Sequence, residues 1–196
     1  FNIWYDCNHA LYDSWISYHD YIKNLLPTIK SITNINNKLI ADIGCGTGRL
    51  SSLLLREITY AYLCDTSDIM LKGAKKRLSS FPDSKYKIIL SNTFNLPFES
   101  NSVDISIEGW SLSYCIQDLK LWDKLIDEML RILKIGGVLI IIETLGVGTE
   151  YPNCTSNLLN SFYSYLSNNR NFNFIWTRSD YKFDDTSQAI LYSNAF

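Results

Sequence analysis

The 196-residue chain has two histidines, five scattered cysteines and almost no net charge (−2). The two histidines, His9 and His19, do not form an HxxxH pair, and no CxxC pair occurs, so no metal centre is expected. Cys7, Cys45, Cys64, Cys115 and Cys154 are odd in number and widely spaced. They are read as reduced thiols in a cytoplasmic protein rather than a disulfide framework. The charge balance offers no drive toward nucleic acid or anionic lipid. The one basic cluster, Lys72, Lys75, Lys76 and Arg77, is read as the solvated face of a helix. No apolar run approaches bilayer length, and the longest aliphatic run, Val138 to Ile142, is strand-sized. No signal-peptide layout opens the sequence. Phe1 stands where a start methionine would be, so part of the native N-terminus is expected to lie upstream.

What is present is a globular composition, 46% hydrophobic, with alternating strand and helix patterns. Apolar positions at Leu11, Trp15, Tyr18, Ile22, Leu25 and Leu26 predict a helix over 10–26 that Pro27 stops. Strands are predicted at 39–43, 60–64, 86–90, 103–107 and 138–143. Helices are predicted at 49–56, 68–80 and 118–133, the last with Leu121, Leu125, Met129 and Ile132 on one side. Gly136-Gly137 is read as the turn into the fifth strand. The tail predicts a helix near 157–166, a strand at 172–177 and a helix from about 186. Strands alternating with helices imply right-handed βαβ units and a mostly parallel sheet covered on both faces. The expectation is an α/β, Rossmann-like three-layer αβα sandwich.

The first strand ends in Gly44-Cys45-Gly46-Thr47-Gly48. Glycine takes positive φ and lets a ligand approach the backbone. A phosphate loop needs a Gly-Lys-Ser/Thr ending, which is absent. A dinucleotide site needs G-x-G-x-x-G, but Arg49 fills the sixth position, and this disfavours a nicotinamide-dependent oxidoreductase. Asp65 ends the second strand about 20 residues beyond the loop, where a carboxylate accepts ribose hydroxyls. The helix start Thr66-Ser67-Asp68 supplies its own cap at Ser67 or Asp68, leaving Asp65 for the ribose.

These segments resemble the class I S-adenosylmethionine-dependent methyltransferases, and most of all the ubiquinone and menaquinone biosynthesis methyltransferases. The resemblance rests on ADIGCGTG at 41–48, LCDTSDIML at 63–71, NTFNLPFESNSVDIS at 92–106 and LRILKIGGVLIIIE at 130–143. It implies one domain over 1–196, with an N-terminal cap (1–36), a cofactor-binding core (37–145) and a substrate-side C-terminal part (146–196). It implies S-adenosylmethionine as cofactor. Asp42, Gly44, Cys45, Gly46 and Gly48 would hold its methionine part, Asp65 and Thr66 its ribose, and Ile69 or Met70 its adenine. Asn92 stands where the family has an acid toward the adenine amino group, and its amide oxygen accepts as well. Thr93 would offer its backbone amide. Glu108, Gly109 and Trp110 would face cofactor and substrate. The family's terminal antiparallel strand is expected to be missing, because at most one strand pattern follows the fifth.

A sulfonium methyl is already activated, so the protein must align a nucleophile about 3 Å from it and exclude water. A general base is optional. His9, His19 and Glu108 are the candidates. Tyr5, Tyr12, Trp15, Tyr114 and Glu143 are candidates for the acceptor site, within an aromatic set that also includes Trp4, Tyr18 and Trp110. The expected acceptor is a small molecule, with no nucleic-acid or membrane partner, handled by a monomer or homodimer. The rival expectation is a non-catalytic S-adenosylmethionine-binding subunit or sensor.

Overall fold

The computed structural model describes residues 9–144 and 156–188. Contacts divide these into two units, residues 35–176 and residues 9–34 with 177–188.

The larger unit is built on β1 (Leu39–Ile43), β2 (Tyr60–Asp65), β3 (Tyr86–Leu90), β4 (Val103–Gly109) and β5 (Leu133–Ile142), all parallel in the order β3-β2-β1-β4-β5. The chain winds outward from β1 to β3, then returns to the centre to lay β4 beside β1. Parallel pairing requires crossovers and buries the central strands. Ile40, Ala41, Asp42 and Ile43 of β1 are accordingly all buried.

Between strands run α3 (Arg49–Leu54), α4 (Asp68–Arg77) and α5 (Trp122–Arg131), followed by α6 (Asn157–Arg170). One core gathers Ala41, Ile43, Cys64 and Val103 against Leu125, Ile126 and Met129 of α5 and Phe162 and Leu166 of α6. Of the predicted stripe Leu125, Met129 and Ile132 are buried, whereas Leu121 is exposed in the turn before α5 and Trp122 takes its place in the core. Trp122 packs edge-on to Phe162 and donates its Nε1–H to Ile116 O at 2.8 Å, as a buried indole requires. This is the expected Rossmann-like arrangement, a parallel sheet with flanking helices.

Three expectations in this unit are corrected. Gly136-Gly137 does not precede the fifth strand but lies inside it. β5 begins at Leu133 and absorbs the pair as an irregularity between Val103 and Ile105 of β4, the usual site of an extra residue in a strand. The segment 172–177 pairs with no strand among the described residues. The Arg77 side chain is not simply solvated, because its Nε–H donates to Thr47 O at 2.9 Å.

In the smaller unit the predicted helix 10–26 is two helices, α1 (His9–Ile16) and α2 (Leu25–Ile32). Asp20 and Lys23 take φ of 57° and 59° between them. The Asp20 carboxylate accepts from the amides of Asn24 (2.8 Å) and Leu25 (3.1 Å), which opens α2. Pro27 falls in the first turn of α2, where its missing N–H costs nothing. His19 bridges antiparallel to Tyr181, and Trp15 stacks on the Tyr181 ring at 5.1 Å. A helical turn opens at 186–188, and the rest of that predicted helix lies outside the described residues.

Candidate active site

Ligands of open α/β sheets sit beyond the carboxyl ends of the strands where the winding reverses. Here that point lies between β1 and β4. The strand ends there carry the Gly44–Gly48 loop, Asp65, Asn92, Glu108 and Glu143. The strand pattern made this convergence legible.

The loop is shaped by its glycines. Gly44 and Gly46 have φ of +68° and +52°, a region that L side chains occupy only with strain. A Cβ on Gly44 would lie 2.0 Å from Ser111 Oγ, so the Ser111 hydroxymethyl fills the hole beside it. A Cβ on Gly46 would meet nothing within 4 Å. The backbone at Gly46 is therefore open to a ligand. Gly48 lies close enough to α4 that its Cβ would sit 3.2 Å from Ala74 Cβ. The close helix approach that a dinucleotide loop assigns to its last glycine is made here one residue early.

Asp65 ties the loop to the second strand. Its Oδ2 accepts from Gly46 N at 2.8 Å and its Oδ1 from Ser67 N at 2.9 Å. The Ser67 hydroxyl caps α4 by accepting from Met70 N, as read from the sequence. Asp65 is nevertheless not left idle, contrary to the expectation. A carboxylate held in this way, at the end of β2 beside Gly46, is of the type that accepts from ribose hydroxyls.

Asp42 is 1% exposed, and its Oδ2 accepts from Ser51 N (3.1 Å) and Ser51 Oγ (2.7 Å) in the first turn of α3. Burial raises its pKa to about 6, against the lowering effect of the Ser51 bonds. Cys45 is buried, and burial pushes its thiol well above its ordinary value. It is a packing residue of the loop.

On the β4 side, Glu108 is fully buried. Its Oε1 accepts from Ser111 N and Ser111 Oγ, both at 2.6 Å, while Oε2 has no partner among the described residues. Burial first, then the nearby Glu143 charge, holds its carboxyl well above the carboxylate range. Glu143 is pushed up to about 7 by burial, and its Oε1 accepts from Leu112 N at 3.1 Å. Gly109 is half-buried at the end of β4. Trp110 takes a left-handed φ of 60°, donates its amide to Ile142 O at 2.9 Å, and lies under the Arg49 guanidinium, 4.5 Å from the ring centroid. A bulky residue in that backbone region marks a site the surroundings hold in place.

Met70 is buried, while Ile69 and Thr66 are exposed. The Asn92 Oδ1 accepts from Phe94 N at 2.8 Å in a local turn, so its second lone pair is the one left for an adenine amino group. Thr93 hydrogen-bonds the Cys115 thiol, and Tyr114 is exposed. His19, Tyr12 and Trp15 belong to the smaller unit. Tyr5, Trp4 and the His9 side chain lie outside the described residues.

Sequence reasoning missed three positioning residues. Ser111 is 67 positions from Gly44 and carries no motif. Arg77 pins the Thr47 carbonyl. Arg131 donates to Phe98 O (2.7 Å) and Leu96 O (3.1 Å) while paired with Glu128, which accepts from Leu96 N at 2.6 Å. That clamp fixes the loop leading from Asn92 to β4. Only the proximity of an acid and a base on one helix face, Glu128 and Arg131, hinted at it.

Residues 41–141 match the model of the methyltransferase domain family. The chain is 26% identical over 144 residues to a demethylmenaquinone methyltransferase of Clavibacter sepedonicus, covering 68% of this chain and 56% of that protein. It is 34% identical over 111 residues to the ubiquinone/menaquinone biosynthesis C-methyltransferase UbiE of Campylobacter jejuni, covering 53% and 43%. The chain thus spans about half the length of these curated relatives. Among solved structures, a SAM-dependent methyltransferase of Aquifex aeolicus superposes with a TM-score of 0.55 at 19% identity, covering 71% of this chain and 72% of that one. The 4+2 cyclase SpnF superposes at 0.62 with 21% identity, covering 82% and 68%. Fold and site together define a class I S-adenosylmethionine-dependent methyltransferase core. The chain belongs to the methyltransferase domain family.

Proposed function

We propose that this chain is the donor-binding and catalytic part of a cytoplasmic enzyme that moves the methyl group of S-adenosylmethionine to a small-molecule acceptor. The observation that carries the reading is the Gly44–Gly48 loop at the winding reversal, open over Gly46 and tied to Asp65. The donor supplies an activated methyl group when bound. The chain's own residues then have three tasks. Gly46 gives close backbone approach, Asp65 takes the ribose hydroxyls, and buried Met70 offers an apolar surface to adenine. Trp110, fixed by its amide bond and by Arg49, walls the reaction side and excludes water. Glu143, at about 7, is suited to accept a proton from an acidic acceptor near neutral pH.

The domain assignment follows the same reading. Residues 37–145 hold the donor, 1–36 are an N-terminal cap and 146–196 the substrate-side part; Tyr5, Tyr12, Trp15, Tyr114 and Glu143 are the acceptor-site candidates, and His9, His19 and Glu108 the candidate bases. The relatives' printed names concern menaquinone and ubiquinone biosynthesis, and this favours a reduced quinone ring carbon over an oxygen or nitrogen.

The similarity to a 4+2 cyclase keeps a second reading in view, because one fold hosts different chemistries. In that reading the donor pocket is kept without methyl transfer. The test is incubation with methyl-labelled S-adenosylmethionine and separated small-molecule, protein and RNA fractions, with demethylated quinols as added acceptors. Label in the small-molecule fraction supports the proposal. Label in protein or RNA alone, or donor binding without any transfer, overturns it.

A further inference from the structure

At one edge of the sheet stands β3, with β2 on its inner side. Just past the strand, the Ser91 amide donates inward to Asp65 O at 2.9 Å. Backbone groups of an extended chain alternate sides residue by residue, so Ile88 and Leu90 turn their amides and carbonyls away from β2. Among the described residues no strand pairs with that outer side. Such an edge is a template for another extended chain.

Side chains alternate as well, between the two faces of the sheet. Ile88 and Leu90 share the face toward α4, where they line an open groove of about 300 Å³ with Asp68, Leu71, Lys72 and Lys75. Leu90 is left 62% exposed. The surroundings are cationic. Lys72 pairs with Asp68 at 2.5 Å, whereas neither Lys75 nor exposed Lys87 has an ion-pair partner among the described residues. A lysine on an edge strand is an ordinary guard against strand pairing. A guard does not account for an apolar groove left open beside it.

We propose that the β3 edge and its groove receive an acidic, extended segment of a partner protein, which adds a strand to the sheet. The amides and carbonyls of that segment pair with those of Ile88 and Leu90. Its apolar side chains enter the groove on Leu71, Ile88 and Leu90, and its carboxylates meet Lys75 and Lys87. A second copy of this chain is the poorer occupant, because edge-to-edge pairing through β3 brings the same lysines together. Nucleic acid matches the charge but offers no strand to the edge and no apolar side chain to the groove. Lys87 lies at the start of β3 and Lys75 toward the end of α4, at the opposite end of the strands from the glycine loop. Partner binding is thus separable from donor binding.

The test uses the whole chain and three fluorescein-labelled probes. They are a short peptide of alternating valine and glutamate, its counterpart with lysine for glutamate, and an oligothymidylate of similar charge to the first. Fluorescence anisotropy at low salt should show the acidic peptide binding at least about tenfold more tightly than either other probe. Hydrogen exchange should slow at the Ile88 and Leu90 amides when it binds. The same peptide N-methylated at every amide should not bind, because it cannot pair with an edge. The double variant Lys75→Glu, Lys87→Glu should weaken the acidic peptide by about tenfold or more and strengthen the lysine one. It should bind S-adenosylhomocysteine as the unaltered protein does. Failure of the acidic peptide to bind, equal binding of the oligothymidylate, or slowed exchange away from β3 overturns the proposal. The probe comparison and the exchange map need only the unaltered protein, so they decide the matter even if the variant fails to fold.

Discussion

Replacing Gly44 with alanine would place a methyl group 2.0 Å from Ser111 Oγ and 2.6 Å from Ser111 Cβ, at a φ of +68°. Two costs then add. A left-handed backbone costs a non-glycine residue about 1–2 kcal/mol. Overpacking a filled site costs a further ~1–3 kcal/mol, as Ser111 is driven off Glu108. The same change at Gly46 has φ +52° but nothing within 4 Å, so only the backbone cost of about 1–2 kcal/mol applies. Urea unfolding should therefore show a larger fall in midpoint for Gly44→Ala than for Gly46→Ala, at unchanged slope. Ser111→Gly removes the clash, so it should be less harmful by ~1–3 kcal/mol in the Gly44→Ala background than alone. S-adenosylhomocysteine binding should show the reverse ranking per unit of lost stability. The Gly46 methyl enters the open space, and affinity falls while the fold stays close to intact. Equal destabilisation by both alanines, or no coupling between positions 44 and 111, would refute this account of the loop.

The buried acids and the clamp have consequences of their own. Asp42 has a folded pKa near 6, raised from an ordinary value of 3.8. The folded state then binds more protons between those values, so stability falls as pH rises from about 4 to 6, by at most ~3 kcal/mol. Asp42→Asn should flatten that part of a stability–pH curve, and an unchanged slope would count against the assignment. Arg131→Ala removes bonds to the Leu96 and Phe98 carbonyls and a pair with Glu128 that is partly solvent-screened. It should cost about 1–2 kcal/mol, with faster hydrogen exchange at the Leu96 and Phe98 amides. Trp110→Ala should leave donor affinity within about threefold but lower turnover more than tenfold, if the ring walls the reaction side rather than the donor. Equal loss in both would place Trp110 on the donor instead.

The strands and the loop were legible because their signals are local. A five-residue apolar run ending in glycines can hardly be anything but a buried strand and a turn. Asp65 was legible by its distance from that loop. What escaped was everything set by contact between distant segments. Ser111 is an ordinary serine until β4 is laid beside β1, when it fills the space over Gly44. Arg77 belonged to a run of cations whose other members are exposed, and only the approach of α4 to the loop gives it the Thr47 carbonyl. The break between α1 and α2 was masked because Tyr18 and Ile22 keep a helical spacing. Asp20 outweighs that spacing by capturing two amides. Segment 172–177 has a strand's composition, but composition cannot supply a neighbouring edge.

The most direct measurement is the binding of S-adenosylhomocysteine and NAD to the same protein, with Asp65→Ala as the control. S-adenosylhomocysteine should bind more tightly than NAD. Asp65→Ala should weaken it by at least about tenfold, the loss expected when charge-assisted bonds to two ribose hydroxyls disappear. Tighter binding of NAD, or an affinity for S-adenosylhomocysteine that does not depend on Asp65, would contradict the account.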